Sequence, residues 1–419
     1  MNTKTELHHL SNGIPVVIHC SDFRTCEILV SLGFGARDEG DKDHGITHFI
    51  EHLLGQSVTG ESSFAYLKKK IETLGGNINL CTNHERMCCC VNVIPEHLID
   101  VIQIIAPQIM TPLFDAQNIE KEKNVILNEY KRSNDNNSWR LFMYENLFKN
   151  TGFAHNILGT PETIQAFNKE LLSDYYFSHL SNDKCNIVVV GQINDTQKLL
   201  SELETAFGKM PHVHYEHNVF LIQQTVAHDF KLNMQNTKMA IAFAAQTSND
   251  RKHQIAIGLF RKILQDRLYD VLRYKNGLVY AIQCSTIGSM DNKLYLIETE
   301  SEVQELENIT KKIAITCKNV LNSEPITSAE LQSVKNAIKF HNARMMDSID
   351  KNCNLYASYM LHYGELYDFN KEQQILHDLN LDDIMTTGKN LLNAPLSAVT
   401  QGPQHDCHIV EIWDKNFIN

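Results

Sequence analysis

His48-Phe-Ile-Glu51-His52 sets two imidazoles four residues apart, with a carboxylate directly before the second. On a helix, positions i and i+4 lie one turn above each other on the same face. Two imidazoles so placed can both reach one tetrahedral Zn²⁺, at roughly 2.0–2.1 Å each. Glu51 sits beside that face, where a carboxylate can hold a water and take its proton. The order H-x-x-E-H inverts the commoner H-E-x-x-H. The chain has 20 histidines, so pairs at this spacing also arise without a metal, and the motif alone leaves both readings open. His44 extends the stripe, but three successive turns diverge from one point. It reads as a helix-start residue or a neighbour of the ligands.

Other clusters are less pointed. His212, His214 and His217 have no acidic residue spaced for a metal and read as solvated loop. The 11 cysteines form no CxxC pair, and Cys88, Cys89 and Cys90 are consecutive. Neighbouring strand residues face opposite ways, so the triplet is no disulfide framework and reads as reduced, buried or half-buried thiols.

The elements that must position these residues follow from periodicity and turn chemistry. Asn12-Gly13 predicts a hairpin turn before the run Val16 to Ile18. Strands are expected at 26–33, 77–93 and 186–191. Helices are expected at 43–54, 62–74, 95–110, 115–132, 137–149, 161–180 and 195–207. A stretch from about 208 to 228 has no clear period and marks a boundary. Beyond it come strands at 239–245, 279–287 and 293–300, and helices at 251–273, 303–321, 327–341 and onward. The expectation is an α+β chain of two similar domains, 1–215 and 216–419, each a mainly antiparallel sheet packed with helices. An ancient duplication fits this pattern, although the two halves share too little identity to show it.

Composition excludes several classes. The 419 residues are 43% hydrophobic and 21% charged, an ordinary globular mix. A net charge of −12 argues against nucleic acid or an anionic membrane and leaves room for basic ligands. No apolar run approaches the roughly 20 residues of a membrane span. The polar start of the chain lacks an apolar signal core. A cytoplasmic location is expected.

Gly35-Ala-Arg-Asp-Glu39 followed by Gly45-x-x-His48-x-x-Glu51-His52 resembles the pitrilysin family of zinc peptidases, which includes insulysin and the mitochondrial processing peptidase. The likeness runs along nearly the whole chain. It takes in Leu10-x-Asn12-Gly13, Gly75-Gly76-x-x-Asn79-x-x-Thr82-x-x-Glu85, Leu158-Gly159-Thr160-Pro161-Glu162 and Asn186-Ile-Val-Val-Val-Gly191. There are departures: Leu80 stands where Ala is usual, Met87 and Cys89 replace Thr and an aromatic, and Leu54-Gly55-Gln56-Ser57 replaces F-x-G-[ST].

The resemblance implies a short bacterial-type, single-chain member whose two domains form half of a clamshell. It implies one Zn²⁺ per chain, held by His48, His52 and Glu129, with Glu51 as general base. Glu129 lies 77 residues after His52, and Glu122, seven residues earlier on the same helix face, would orient a ligand. Arg273 and Tyr280 match the family's Arg-x6-Tyr pair and would polarise the scissile carbonyl. Asn79, Leu80, Cys81 and Thr82 match the sheet edge where a substrate adds as a strand. The implied activity is metalloendopeptidase cleavage of peptides or short unfolded segments in a closed chamber. The alternative is a non-catalytic subunit or peptide-binding partner of the same fold. Long family members carry about four such domains, with the metal in the first and the Arg-Tyr pair in the last. This chain has half that length and holds both, so a homodimer completed in trans is expected, with a heterodimer as the alternative.

Overall fold

A strand buried on both faces is built mostly from apolar residues, and in two such segments Glu27, Ser31 and Asn186 are the polar exceptions. Cys26–Leu32 and Cys185–Gly191 are buried along their whole length. They lie next to each other in a six-stranded sheet. Its strands are β1 (Lys4–His9), β2 (Pro15–Cys20), β3 (Cys26–Leu32), β4 (Asn77–Thr82), β5 (Met87–Val93) and β6 (Cys185–Gly191), in the order β1-β2-β6-β3-β5-β4. All pairings are antiparallel except β2 with β6. The computed structural model describes residues 4–55, 64–217, 222–245, 250–289 and 292–418. Gln56 and Ser57 and the start of the 62–74 helix lie outside the described residues, as does part of the 208–228 boundary.

The expected strand over 77–93 is two strands. Asn83 breaks it by accepting the N–H groups of Glu85 and Arg86 on its side-chain oxygen, which tightens the chain into a hairpin turn.

The chain divides into two units. The first takes the chain up to Asn136, His155–Asn218 and Ala343–Tyr367. One face of its sheet carries the larger core, with Phe49, Ile102, Ile126, Tyr176 and Leu203. The other face packs against the helix Ile349–Tyr363. The second unit takes Asn137–Ala154, Val219–Asn342 and Asp368 onward. Its sheet contains β7 (Val226–Phe230), β8 (Asn236–Ala245), β9 (Ile282–Gly288), β10 (Lys293–Glu302) and β11 (Leu396–Gly402), in the order β7-β11-β8-β10-β9. Only β7 and β11 are parallel. Phe243, Phe260, Ile313 and Trp413 fill the core on one face. On the other, Met143, Leu147 and Phe148 pack on Ala240, Leu294 and Val399.

Each sheet is thus covered on one side by a segment drawn from a distant part of the chain. Helix is expected both before and after residue 133, and the structure joins these stretches. One helix runs from Ala116 to Leu147, with non-helical backbone at Asn137, where it passes from the first unit to the second.

Candidate metal centre

The helix Ile46–Leu54 buries Ile46, Phe49, Ile50 and Leu53 in the first core. That packing fixes its rotation and sets His48, Glu51 and His52 on the remaining face. Its start is built with unusual closeness. Gly45 has a left-handed φ of 88°, and a Cβ there would lie 2.6 Å from the Gly159 backbone. Gly159 also has positive φ, and its own Cβ would meet the His44 carbonyl at 2.3 Å. Only two glycines permit this contact. Thr163 adds a hydrogen bond to the same carbonyl at 2.7 Å. The buried Glu39 carboxylate accepts the N–H groups of Gly45 (2.8 Å) and Thr47 (3.0 Å), satisfying donors that a helix start leaves free. Burial pushes the Glu39 carboxyl up to about 8, against those hydrogen bonds.

The helix beginning at Ala116 supplies two carboxylates on one face. Its residues Ile119 and Ile126 are buried in the same core, which turns Glu122 and Glu129 towards the histidines. His52 Nδ1 lies 3.1 Å from Glu122 Oε2. With that nitrogen donating, the lone pair of Nε2 is left facing Glu129. Glu129 stands 3.6 Å from His52 Nε2 and 3.9 Å from His48 Nε2. Donor atoms of the three residues all lie within 4.8 Å of one another.

These separations exceed hydrogen-bond length. They lie near the roughly 3.3–3.5 Å that separates two ligands bound at 2.0–2.1 Å around a tetrahedral ion. Among the described residues, Nδ1 of buried His48 has no hydrogen-bond partner. Burial, then the charge of His52, pushes the His48 imidazole down to about 3. It is therefore neutral at ordinary pH, the form in which a histidine binds a metal. Two neutral-capable imidazoles and one carboxylate, with a carboxylate behind one histidine, fit a zinc ion.

Glu51 sits beside this triangle. Burial raises its carboxyl above the ordinary value, against the Thr82 side chain and His52, while Cys81 and Glu129 add to the rise. Burial works to lower the His52 imidazolium, but Glu122, Glu51 and Glu129 together hold it above its usual value. Asn79, Leu80, Cys81 and Thr82 lie on β4, the last strand of the sheet among the described residues. Asn79 is exposed and Leu80 packs on the core.

Arg273 and Tyr280 lie in the second unit. The helix Arg251–Tyr269 continues into a wider turn, Asp270–Lys275, and Gly277 reverses the chain with φ 63°. β9 begins at Ile282, so Tyr280 precedes the strand rather than starting it. The Arg273 guanidinium lies 4.6 Å over the Tyr280 ring and donates to the Tyr280 carbonyl. It also lies 5.2 Å over Tyr269 and donates to its hydroxyl at 2.6 Å. Tyr280 itself is 83% exposed.

Several residues escaped the sequence reading. Tyr269 was detectable as the i−4 neighbour of Arg273 on one helix. Glu39 stands in the motif that carries the resemblance, but its role at the helix start had no local signal, because its partners lie across a loop. His44 takes the helix-start position, and its ring stacks at 3.5 Å on His155, a contact no spacing foretells. The histidine cluster is only partly solvated loop. His217 pairs with Asp38 at 2.7 Å and His212 lies 3.0 Å from Asn182. Carboxylate and amide partners distant in sequence draw these rings onto the first unit.

Residues 16–161 match the profile of the insulinase family (peptidase family M16), and 166–338 match the M16 inactive-domain profile. An uncharacterized zinc protease of Rickettsia felis is 23% identical over 96% of this chain and 98% of its own length. One from Bacillus subtilis is 25% identical over 78% of this chain and 81% of its own. A protease from Helicobacter pylori shares the fold, with a TM-score of 0.84 at 19% identity, over 96% of this chain and all of the other.

Proposed function

Because the chain belongs to peptidase family M16, we propose that it is a zinc metalloendopeptidase that cuts peptides or short unfolded segments. The observation that carries this reading is the convergence of His48, His52 and Glu129 with Glu51 beside them.

His48 Nε2, His52 Nε2 and the Glu129 carboxylate would hold one Zn²⁺. When bound, the ion supplies Lewis acidity towards a carbonyl and lowers the pKa of water. Glu122 fixes the His52 ring through Nδ1. Glu51 takes the proton of the attacking water on its carboxylate and passes it to the leaving amine. Its burial raises proton affinity, which suits a group that must accept and then donate. β4 receives the substrate as an added strand over Asn79–Thr82. Arg273 and Tyr280 hold the negative charge that develops on the carbonyl oxygen.

The active unit in this reading is a homodimer in which Arg273 and Tyr280 serve the zinc of the second copy. Support comes from the presence of both elements in this one chain. Two-fold pairing is the commonest closed assembly. A cytoplasmic location belongs to the same proposal. Among the described residues, no helix is long and apolar enough to cross a membrane.

The test is zinc content together with cleavage of a quenched peptide. Glu51→Gln keeps the metal and loses activity by at least about two orders of magnitude, the worth of a general base. Glu129→Gln instead weakens metal retention. A folded Glu51→Gln protein that has lost its zinc would show Glu51 to be a ligand and not the base.

A further inference from the structure

The hairpin that forms the end of the first sheet carries three thiols on one face. Cys81 on β4 stands directly opposite Cys88 on β5, and Cys90 is opposite Asn79. Side chains two residues apart on a strand share a face, so Cys88 and Cys90 point the same way and Cys89 points into the core. The Cys81 thiol is close enough to both Cys88 and Cys90 for each to shift its ionisation. Cys81 and Cys90 are half-buried, and Cys88 is buried, with Ser31 Oγ 4.0 Å from its sulfur.

We propose that Cys81 and Cys88 form a reversible cross-strand disulfide, with Cys81 as the thiol that meets the oxidant. Directly opposite residues on antiparallel strands have Cα atoms about 4.5–5.5 Å apart. That lies inside the roughly 4.4–6.8 Å window of a disulfide. Cys90 is diagonal to Cys81, about 7–8 Å away in a regular sheet, beyond that window.

The electrostatics favour the same assignment. The neighbouring Cys88 and Cys90 thiols hold the Cys81 thiol below its ordinary value, with the Arg86 guanidinium adding to the effect. Cys88 and Cys90 move the other way, so Cys81 is the most readily ionised of the three. Among the described residues, Nη1 of Arg86 is buried with no hydrogen-bond partner, while Nη2 is anchored to Asn354 at 3.0 Å. A fixed cation with a free donor near a half-buried thiol that ionises readily is the setting of a reactive cysteine.

With a peroxide as oxidant the chemistry balances. Cys81 sulfur attacks one peroxide oxygen, the O–O bond breaks, and the thiol proton leaves with the other oxygen as water. Cys88 sulfur then attacks the Cys81 sulfenic acid, the S–O bond breaks, and a second water leaves with the Cys88 proton. Two sulfurs have given one electron each to the peroxide. A dithiol reverses the bond by exchange. None of this depends on the peptidase reading.

The experiment uses the full-length folded protein. It is exposed to stoichiometric hydrogen peroxide, its free thiols are blocked with N-ethylmaleimide, and a non-reducing digest is read by mass spectrometry. Two of the 11 thiols should be lost together in one peptide pair joined through Cys81 and Cys88, restored by dithiothreitol. Cys20 and Cys407 are half-buried internal references, and Cys81 should react on the order of tenfold faster than either. Cys88→Ala should leave Cys81 as a sulfenic acid that dimedone traps. A Cys81–Cys90 link, or Cys81 still alkylated at the rate of the references, would overturn the assignment in the unmodified protein, whatever the variant does.

Discussion

Setting β1 aside, the two sheets are the same object. β2-β6-β3-β5-β4 and β7-β11-β8-β10-β9 have the same order, and in each only the first pair is parallel. The likeness expected of the two halves is visible in the topology. Yet among the described residues only the first unit brings together a set that could hold a metal. The helix after β3 presents His48, Glu51 and His52, whereas the one after β8 presents His253, Ala256 and Ile257 at the same spacing. A histidine stands first in both, so what differs is two side chains and a distant glutamate. Fold and function therefore separate here: the architecture supplies a slot for a helix, and side chains decide whether the slot has chemistry. The second unit places its own polar pair, Arg273 and Tyr280, after the corresponding helix instead.

The sharpest way to break this division of labour is complementation. Glu51→Gln alone and Arg273→Ala/Tyr280→Phe alone should each be nearly inactive. The second loss is on the order of 10²–10³-fold, as for removal of an oxyanion donor. Mixed after subunit exchange, each hybrid dimer regains one working site. If exchange is demonstrated and the mixture stays dead, the Arg-Tyr pair acts in its own chain and the trans arrangement fails.

A second contrast concerns how tightly each unit holds its helix. Gly45→Ala adds a left-handed alanine and a backbone overlap, and should cost about 2–5 kcal/mol. Gly277 also has positive φ but meets nothing within 4 Å. Gly277→Ala should therefore cost only about 1–2 kcal/mol. Denaturant melts of both variants compare the two, and equal losses would remove the special role given to the Gly45–Gly159 contact.

Acid should act on the first unit through its stacked histidines. Burial, then the charge of His44, pushes His155 down to about 4, while an unfolded histidine titrates near 6.5. Between those values the unfolded chain binds the extra proton, so stability falls as pH drops from about 6.5 to 4. His155→Phe keeps a flat ring over His44 and removes this dependence. Melting temperatures across that pH range should show a shallower slope in the variant. An unchanged slope would assign the acid response to other groups.

The smallest effect expected is on substrate charge. The net charge of −12 should favour basic or neutral peptides over acidic ones at low salt. Matched Lys-rich and Glu-rich peptides cleaved at equal rates would show that the charge is not spread where substrates bind.

Sequence alone settled what local geometry controls. Spacing of three and four residues put His48, Glu51 and His52 on one helix side, because the helical repeat is the same wherever the helix lies. The Asn12-Gly13 turn, the buried run Ile187–Val190 and most helix positions were legible for the same reason. Glu129 and the Arg-Tyr pair were reached only through family resemblance, since nothing local ties residue 129 to residue 52. Tertiary structure decided the rest. Helix packing brought Glu122 against His52, a loop carried Glu39 to the helix start, and strand register set Cys81 opposite Cys88. The exchange of covering segments, 349–363 onto the first sheet and 137–154 into the second unit, was equally invisible. An amphipathic helix states in its sequence that one face must be buried. It does not state against which surface, because many apolar surfaces satisfy that demand and only the folded chain selects one.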